Sequence, residues 1–391
     1  MDMKITDAIK YIGVNDHQVD LFEGQFEVPL GMAYNSYVIL DNKIAVMDSV
    51  DQNFGDEWIS NLKKVLSENG NRTPDYLVVH HMEMDHSANV KRFIEEFPNT
   101  KIVASKMAFV MMKNLFGSDF QERQIVAGEG FELELGSHVL RFIAAPNVHW
   151  PEVLMSYEKS EGVLFSADGF GKFGANDVED SEGWACEARR YYFGIVGKFG
   201  NAVQTVLKKA ASLKINIICP LHGPVLNENL DYYLNTYNTW SSYGVETEGI
   251  AIFYTSVYGN TKKAAEIMAE SLINKGAPKV VLNDLAREDM YECVEDAFRY
   301  GKIVLATTTY NGSVFPKMKE FLEHLKDRDY QKRKIGIIEN GTWVPCAAKG
   351  IKSILESFKE ISFYENIVTI KTSVTAETEK QIQALADEIL R

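Results

Sequence analysis

The side chains best suited to chemistry are crowded into one stretch, His80-His81-Met82-Glu83-Met84-Asp85-His86, in a chain with only eight histidines. Imidazoles and carboxylates at this density are the donors of a metal site. Three more candidates stand just beyond apolar runs: His149 in Pro146-Asn147-Val148-His149-Trp150-Pro151, Asp168 before Gly169, and His222 before Gly223. Taken singly, His149 or His222 reads more simply as a satisfied structural residue. The cluster reads otherwise, because such side chains gather at strand ends where a rigid scaffold aims them at one point. Seven donors (His81, Glu83, Asp85, His86, His149, Asp168 and His222) are too many for one ion. Divided between two ions with Asp168 as a bridge, they give each ion two imidazoles, a carboxylate and a share of the bridge. That set is associated with iron that activates dioxygen, whereas zinc prefers tetrahedral nitrogen and sulfur ligation. His17, His138 and His324 are expected to be structural.

The elements that must position these donors are strands. Apolar runs at 76–79, 139–144, 163–165 and 215–219 each run into a segment that carries a donor, and further runs at 37–40, 43–47 and 101–104 alternate with helical stretches such as 56–67 and 203–212. This pattern predicts sheets flanked by helices. From Gly249 the rhythm becomes regular. Strands at 250–254, 279–282, 303–306, 335–338 and 367–370 alternate with helices at 261–275, 290–300, 316–326, 345–358 and 376–390, which predicts a doubly wound parallel sheet. The domains are therefore expected at 1–248 and 249–391, in keeping with about 150 residues per domain.

The first of those later strands runs into Thr255-Ser256-Val257-Tyr258-Gly259-Asn260-Thr261 and then a helix. Hydroxyls and amides at a helix N-terminus form an anion site, although Ser, Thr and Asn also begin helices simply as caps. Neither a Walker A loop nor a G-x-G-x-x-G fingerprint is present. Two more loops follow later strands: Thr307-Thr308-Thr309-Tyr310-Asn311-Gly312, and Glu339-Asn340-Gly341-Thr342-Trp343. Both fall at carboxyl strand ends, where such a sheet binds its ligand, and Tyr310 and Trp343 offer rings to pack on it.

Composition narrows the class. The 391 residues are 46% hydrophobic and 25% charged, as in ordinary globular chains. All of the net charge of −14 lies in residues 1–248, the remainder carrying equal numbers of acidic and basic residues. So acidic a chain argues against nucleic acid as a partner. No apolar run reaches the about 20 residues needed to span a bilayer, and the N-terminus lacks the apolar core of a signal peptide. Cys186, Cys219, Cys293 and Cys346 form no CxxC pair, which argues against a disulfide framework, a rubredoxin module or an iron–sulfur cluster. A cytoplasmic location, with thiols kept reduced, is expected.

These residues carry a resemblance. Residues 30–225 resemble the metallo-β-lactamase superfamily, whose hydrolases carry H-x-H-x-D-H and bind zinc. Here the motif reads His81-x-Glu83-x-Asp85-His86, and Glu in place of the second His is the pattern of the flavodiiron proteins. His149, Asp168 and His222 follow that family's order, and Tyr34-Asn35-Ser36-Tyr37 matches it as well. His80 departs from the Asn of many members and is expected to alter the contacts that orient His81. Residues 249–391 resemble a flavodoxin that binds FMN. The resemblance implies a mixed α/β chain, an N-terminal αββα metallo-β-lactamase-like sandwich followed by a flavodoxin-like doubly wound parallel sheet. It implies that Thr255 and Ser256–Thr261 hold the FMN phosphate, while Thr308–Gly312 and Asn340–Trp343 border the isoalloxazine. The activity it implies is reduction of dioxygen to water, nitric oxide to nitrous oxide, or both, at two irons. Electrons would pass through FMN from an external donor such as rubredoxin or a reduced deazaflavin. A head-to-tail homodimer, with one subunit's flavin beside the partner's irons, is implied too. The competing readings are a zinc-dependent hydrolase fused to an FMN electron carrier, against which Glu83 and the flavin domain both speak, and a non-catalytic electron-transfer or gas-sensing protein.

Overall fold

The computed structural model describes residues 5–391. Its backbone falls into two compact units, one formed by residues up to Tyr192 together with Asn201–Asn238, the other by Phe193–Gly200 together with Thr239–Arg391.

The first unit is built on two sheets. One has six strands in the order Ile9–Tyr11, Tyr37–Ile39, Ala45–Met47, Tyr76–Val79, Lys101–Ser105 and Gln124–Ala127. Its last four strands are parallel. The other has five, in the order Glu132–Glu134, Val139–Ala144, Leu154–Glu158, Val163–Phe165 and Ile217–Cys219. Only its final pair is parallel. Alternation aims one face of each sheet inward: in Val139–Ala144, Leu140 and Phe142 are fully buried while Arg141 between them is exposed. Ile39, Met47, Val78 and Val103 of the first sheet join Leu140, Phe142, Leu154 and Phe165 of the second in one core. Helices such as Gly55–Glu68 and Lys106–Phe116 complete a metallo-β-lactamase-like αββα sandwich. Lys106–Phe116 shows local sequence fixing an element: Ser105 Oγ accepts the Ala108 N–H at its start, and Gly117 at φ +71° ends it.

The second unit is flavodoxin-like. Its sheet runs Val280–Asp284, Thr247–Tyr254, Tyr300–Tyr310, Arg333–Asn340, after which Ile361–Phe363 and Val368–Ile370 pair in turn along the last of these. All these pairings are parallel. The order second-first-third-fourth-fifth puts a topological switch between the first and third strands, where ligands of such sheets bind. Two features depart from the simple alternation expected. The fifth strand position is shared by two short strands, and Ser313–Val314 folds back antiparallel on Thr309 and Tyr310. The latter hairpin turns through Asn311 and Gly312, both at positive φ. Among the described residues, no helix is long and apolar enough to cross a membrane, and none of the four cysteines forms a disulfide.

Candidate metal centre

Each candidate donor hangs from a strand end of the first unit. His81 follows Tyr76–Val79, and Glu83 immediately precedes the one-turn helix Met84–Ser87 that carries Asp85 and His86. The turn is tied by Ser87 Oγ donating to the Met82 carbonyl at 2.9 Å. His149 follows Val139–Ala144, Asp168 follows Val163–Phe165, and His222 follows Ile217–Cys219. Gly223 behind His222 is at φ +76°, and a Cβ there would meet Lys172 Cγ at 2.5 Å, so only glycine fits. The Tyr34-Asn35-Ser36-Tyr37 segment buttresses the same loop: Asn35 Nδ2 donates to the carbonyls of Pro220 and Gly223, and Tyr37 OH to that of Pro220.

The donors converge as two pockets sharing one carboxylate. In the first, His81 Nε2 is 3.2 Å from both Glu83 Oε2 and Asp168 Oδ2, and His149 Nε2 is 3.0 and 3.4 Å from the same two oxygens. In the second, His86 Nε2 and His222 Nε2 are each 3.2 Å from Asp85 Oδ2 and 2.9 Å from one another. Asp168 presents its other oxygen there, Oδ1 lying 3.6 and 3.7 Å from those imidazoles. His81, His86, Asp168 and His222 are buried.

A metal fits this arrangement for reasons visible in the atoms themselves. Both oxygens of Asp85 and of Asp168 are buried with no hydrogen-bond partner, a costly state unless something else neutralises them. Ligands about 2.0–2.2 Å from a common ion stand about 3.0–3.4 Å apart, which the edges of both pockets approach. Without an ion, protons supply the positive charge. Burial alone would lower the imidazole pKa values, but the neighbouring carboxylates overcome it. Asp85 and Asp168 push His86 up to about 10, Asp168 and Glu83 push His149 up to about 9, and His81 lies well above its ordinary value. Reciprocally, burial would raise Asp85 and Asp168, yet the facing imidazoles hold both below the usual carboxylate range.

The ring nitrogens not aimed at the pockets are anchored for two histidines. His222 Nδ1–H donates to the Ala33 carbonyl at 2.8 Å, which leaves the Nε2 lone pair for the pocket. His81 Nδ1 is 2.8 Å from Glu152 Oε1, which also accepts the Met82 N–H at 2.9 Å. Sequence reasoning missed Glu152, which lies three residues beyond His149 but 71 from the His81 it meets. His80 meets Asp48 and Ser156 rather than a donor. Of the histidines expected to be structural, His138 pairs with Asp41 and His17 with Asp177, while His324 packs on Tyr291. Beside the pockets a cavity of about 460 Å³, lined by Tyr34, Phe54, Glu83, Asp85, Phe22 and Glu23 among others, reaches Glu83 and Asp85.

In the second unit, a separate cavity of about 510 Å³ is bordered by Ser256, Val257, Tyr258, Asn260, Thr261, Thr308, Thr309, Tyr310, Asn311, Gly312, Asn340, Gly341, Thr342 and Trp343, with Val344, Cys346 and Thr372. That size suits a small cofactor. Thr255 and Gly259 do not line it; Thr255 is buried, its hydroxyl 2.7 Å from that of Thr307. Thr261 Oγ1 is 3.0 Å from Thr308 Oγ1 and accepts from Asn340 Nδ2 at 3.3 Å, joining the three loops. Tyr258 and Trp343 are 92% and 86% exposed, rings open to a planar ligand. No charged side chain borders the cavity.

Comparison with known proteins places this geometry. Residues 32–223 match the ODP family beta lactamase, and residues 251–356 match a flavodoxin domain. Over 371 residues the chain is 29% identical to an uncharacterized protein of Methanocaldococcus jannaschii, covering 93% of this chain and 91% of that one. It is 27% identical over 383 residues to the anaerobic nitric oxide reductase flavorubredoxin of Vibrio vulnificus, covering 95% of this chain and 76% of that one. The flavodiiron protein of Giardia intestinalis shares the fold at a TM-score of 0.91 and 23% identity, with 100% of this chain and 97% of that one covered. The rubredoxin oxygen:oxidoreductase of Desulfovibrio gigas does so at 0.90 and 24%, with 100% and 98% covered.

Proposed function

We propose, from the premise that this chain belongs to the flavodiiron family, that it is an oxidoreductase reducing dioxygen to water, nitric oxide to nitrous oxide, or both, at two irons. The observation that carries this reading is Asp168, whose two oxygens each face a separate pocket of two imidazoles and a carboxylate. Two imidazoles and one carboxylate with open positions is the donor set of ferrous sites that react with dioxygen. When bound, two ferrous ions and one reduced FMN supply four electrons, which with four protons take dioxygen to two waters; two electrons and two protons join two molecules of nitric oxide as nitrous oxide and water.

The chain's own residues do the rest. His81, Glu83, His149 and Asp168 would hold one iron, and Asp85, His86, His222 and Asp168 the other. Glu152 and the Ala33 carbonyl orient His81 and His222 through their distal ring nitrogens. Burial of His81, His86, Asp168 and His222 keeps bulk water from the donors. The cavity at Glu83 and Asp85 is lined by carboxylates and aromatic rings and suits a small neutral gas better than an anion. Ser256–Thr261 would take the FMN phosphate at the N-terminus of Asn260–Asn274, with Tyr258 and Trp343 beside the ring.

We place the functional division at 248/249. The finer claims extend the same reading: a head-to-tail homodimer in which each flavin serves the partner's irons, rubredoxin or a reduced deazaflavin as donor, and a reducing cytoplasm. Protein purified without air should hold two irons and one FMN per chain, and should consume dioxygen or nitric oxide when given excess reductant. Active protein with two tightly held zinc ions instead would overturn the iron assignment and favour the hydrolase.

A further inference from the structure

His80 opens the loop that carries His81, Glu83, Asp85 and His86, yet both of its ring nitrogens are engaged elsewhere. Nδ1 lies 2.5 Å from Asp48 Oδ2, and Nε2 lies 2.8 Å from Ser156 Oγ. Asp48 Oδ1 also accepts the His80 N–H at 2.7 Å, so one carboxylate grips the residue at two points. All three side chains are buried. Asp48 and His80 follow strands of the first sheet, whereas Ser156 lies in Leu154–Glu158 of the second, where Leu154 N–H donates to the His80 carbonyl at 3.0 Å. Between them the imidazole stacks on Phe165 at 6.3 Å and 15°.

A polar chain through an apolar core is costly unless its members are paired, and here the imidazole and the carboxylate are. The Asp–His–Ser order is that of a hydrolytic triad, but Ser156 is 0% exposed and has no path to a substrate. What the chain does is fasten one sheet to the other directly behind His81. Both pockets draw donors from both sheets, but His81 of the first pocket is the donor joined directly to His80 along the chain, so the fastening bears on that pocket first. In the second pocket His86 has its own anchor, its carbonyl accepting from Ser49 N at 2.9 Å and Ser49 Oγ at 2.7 Å.

We propose that His80 is a positioning residue, joining Asp48 to Ser156 across the sandwich so that His81 meets its partners in the first pocket. This rests on the reading that the seven donors hold two metal ions. The test is a cobalt(II) titration of the full, metal-free chain, followed by visible absorption, for wild type, Ser156→Ala, His80→Asn and the double variant. Asn at position 80 retains an amide for Asp48 but cannot span to Ser156. Each single variant should weaken one of the two cobalt ions about 10- to 100-fold and shift its spectrum, leaving the other within about twofold. The double variant should be no worse than either single, since both remove one contact. Unchanged affinities overturn the proposal, as do equal losses at both ions in step with thermal destabilisation, or additive losses. If His80→Asn does not fold, Ser156→Ala decides alone. Wild type that binds fewer than two cobalt ions overturns the two-metal reading and this proposal with it, whereas wild type that binds two and variants that do likewise overturn only the role of His80.

Discussion

Replacing Asp168 by Asn keeps the size and shape of the side chain and removes one of three carboxylate charges from the site. Its oxygens are 3.2–3.7 Å from four imidazole nitrogens. Two unit charges about 4 Å apart at an effective dielectric near 20 interact by about 4 kcal/mol. Even a third of that is about tenfold in an equilibrium. Loss of an orienting partner alone typically costs about 10- to 100-fold in metal affinity, and Asp168 is placed to be a ligand, so at least about 100-fold is expected. The informative feature is where the loss falls. Asp168→Asn should weaken both ions, Glu83→Gln mainly the ion of the first pocket, and Asp85→Asn mainly that of the second. Iron per chain after anaerobic reconstitution, with isothermal titration of the metal-free variants, reads this directly. FMN content should stay at wild-type level in all three. Asp168→Asn protein that retains two irons and full gas reduction would refute the shared carboxylate, and loss of a single ion would refute the bridge while leaving a terminal ligand.

Further outcomes follow from the same geometry. In the metal-free chain, His149 at about 9 and His86 at about 10 lie above the unfolded value of about 6.5; their stabilisation is fully present below about 6.5 and lost as pH rises through 9–10. Chelator-treated protein should therefore melt at lower temperature at pH 10 than at pH 7. Metal binding should release protons at pH 7 and fewer as pH rises through 9–10, measurable as a buffer-dependent heat. Thr261→Val removes a hydroxyl that meets Thr308 and Asn340, and should weaken FMN binding about tenfold by flavin fluorescence without changing iron content; unchanged flavin affinity would remove Thr261 from the site. Mixing a Glu83→Ala chain with a Ser256→Ala/Asn260→Ala chain should restore partial activity to two nearly inactive parents, since the intact flavin of one would face the intact irons of the other. No rescue in verified mixed dimers would refute the cross-subunit path.

The donors were legible in the sequence because each sits at the end of an apolar run, where a strand must stop and a loop must begin. His81 to His86 could be read within six residues, and His149, Asp168 and His222 each lie within five residues of a predicted strand. The regular β and α alternation after Gly249 was legible for a similar reason, since its period is local. What supports the donors was not. Glu152 lies 71 residues from His81, Ser156 lies 76 from His80, and Asp48 lies 32 from His80. The first two pairs exist because two sheets stack in one register, and the third because two strands far apart in the chain pair side by side in one sheet; no local pattern encodes either. Thr255 shows what type and place alone leave open: at a strand end one side chain points to the loop and the next into the sheet, and its hydroxyl meets Thr307.

The same distinction bears on how the first unit is held together. Three carboxylates and four imidazoles lie where apolar residues would ordinarily add stability, and the orphaned oxygens of Asp85 and Asp168 mark a region that the protein alone leaves unsatisfied. A chain that keeps such a cluster needs positive charge from outside it, supplied by protons when metal is absent and by metal otherwise. Binding free energy then becomes folding free energy for the loops at 80–87, 145–151, 166–171 and 220–224, but much less for Asn35, Tyr37, Ser49 and Asp48, whose hydrogen bonds are complete without an ion. Hydrogen exchange on metal-free and metal-loaded protein should therefore differ most at the four loops and least in the strands Ala45–Met47 and Tyr76–Val79. Equal protection of the loops in both states would mean that the site is rigid before any metal arrives, and that the carboxylates are balanced by protons alone.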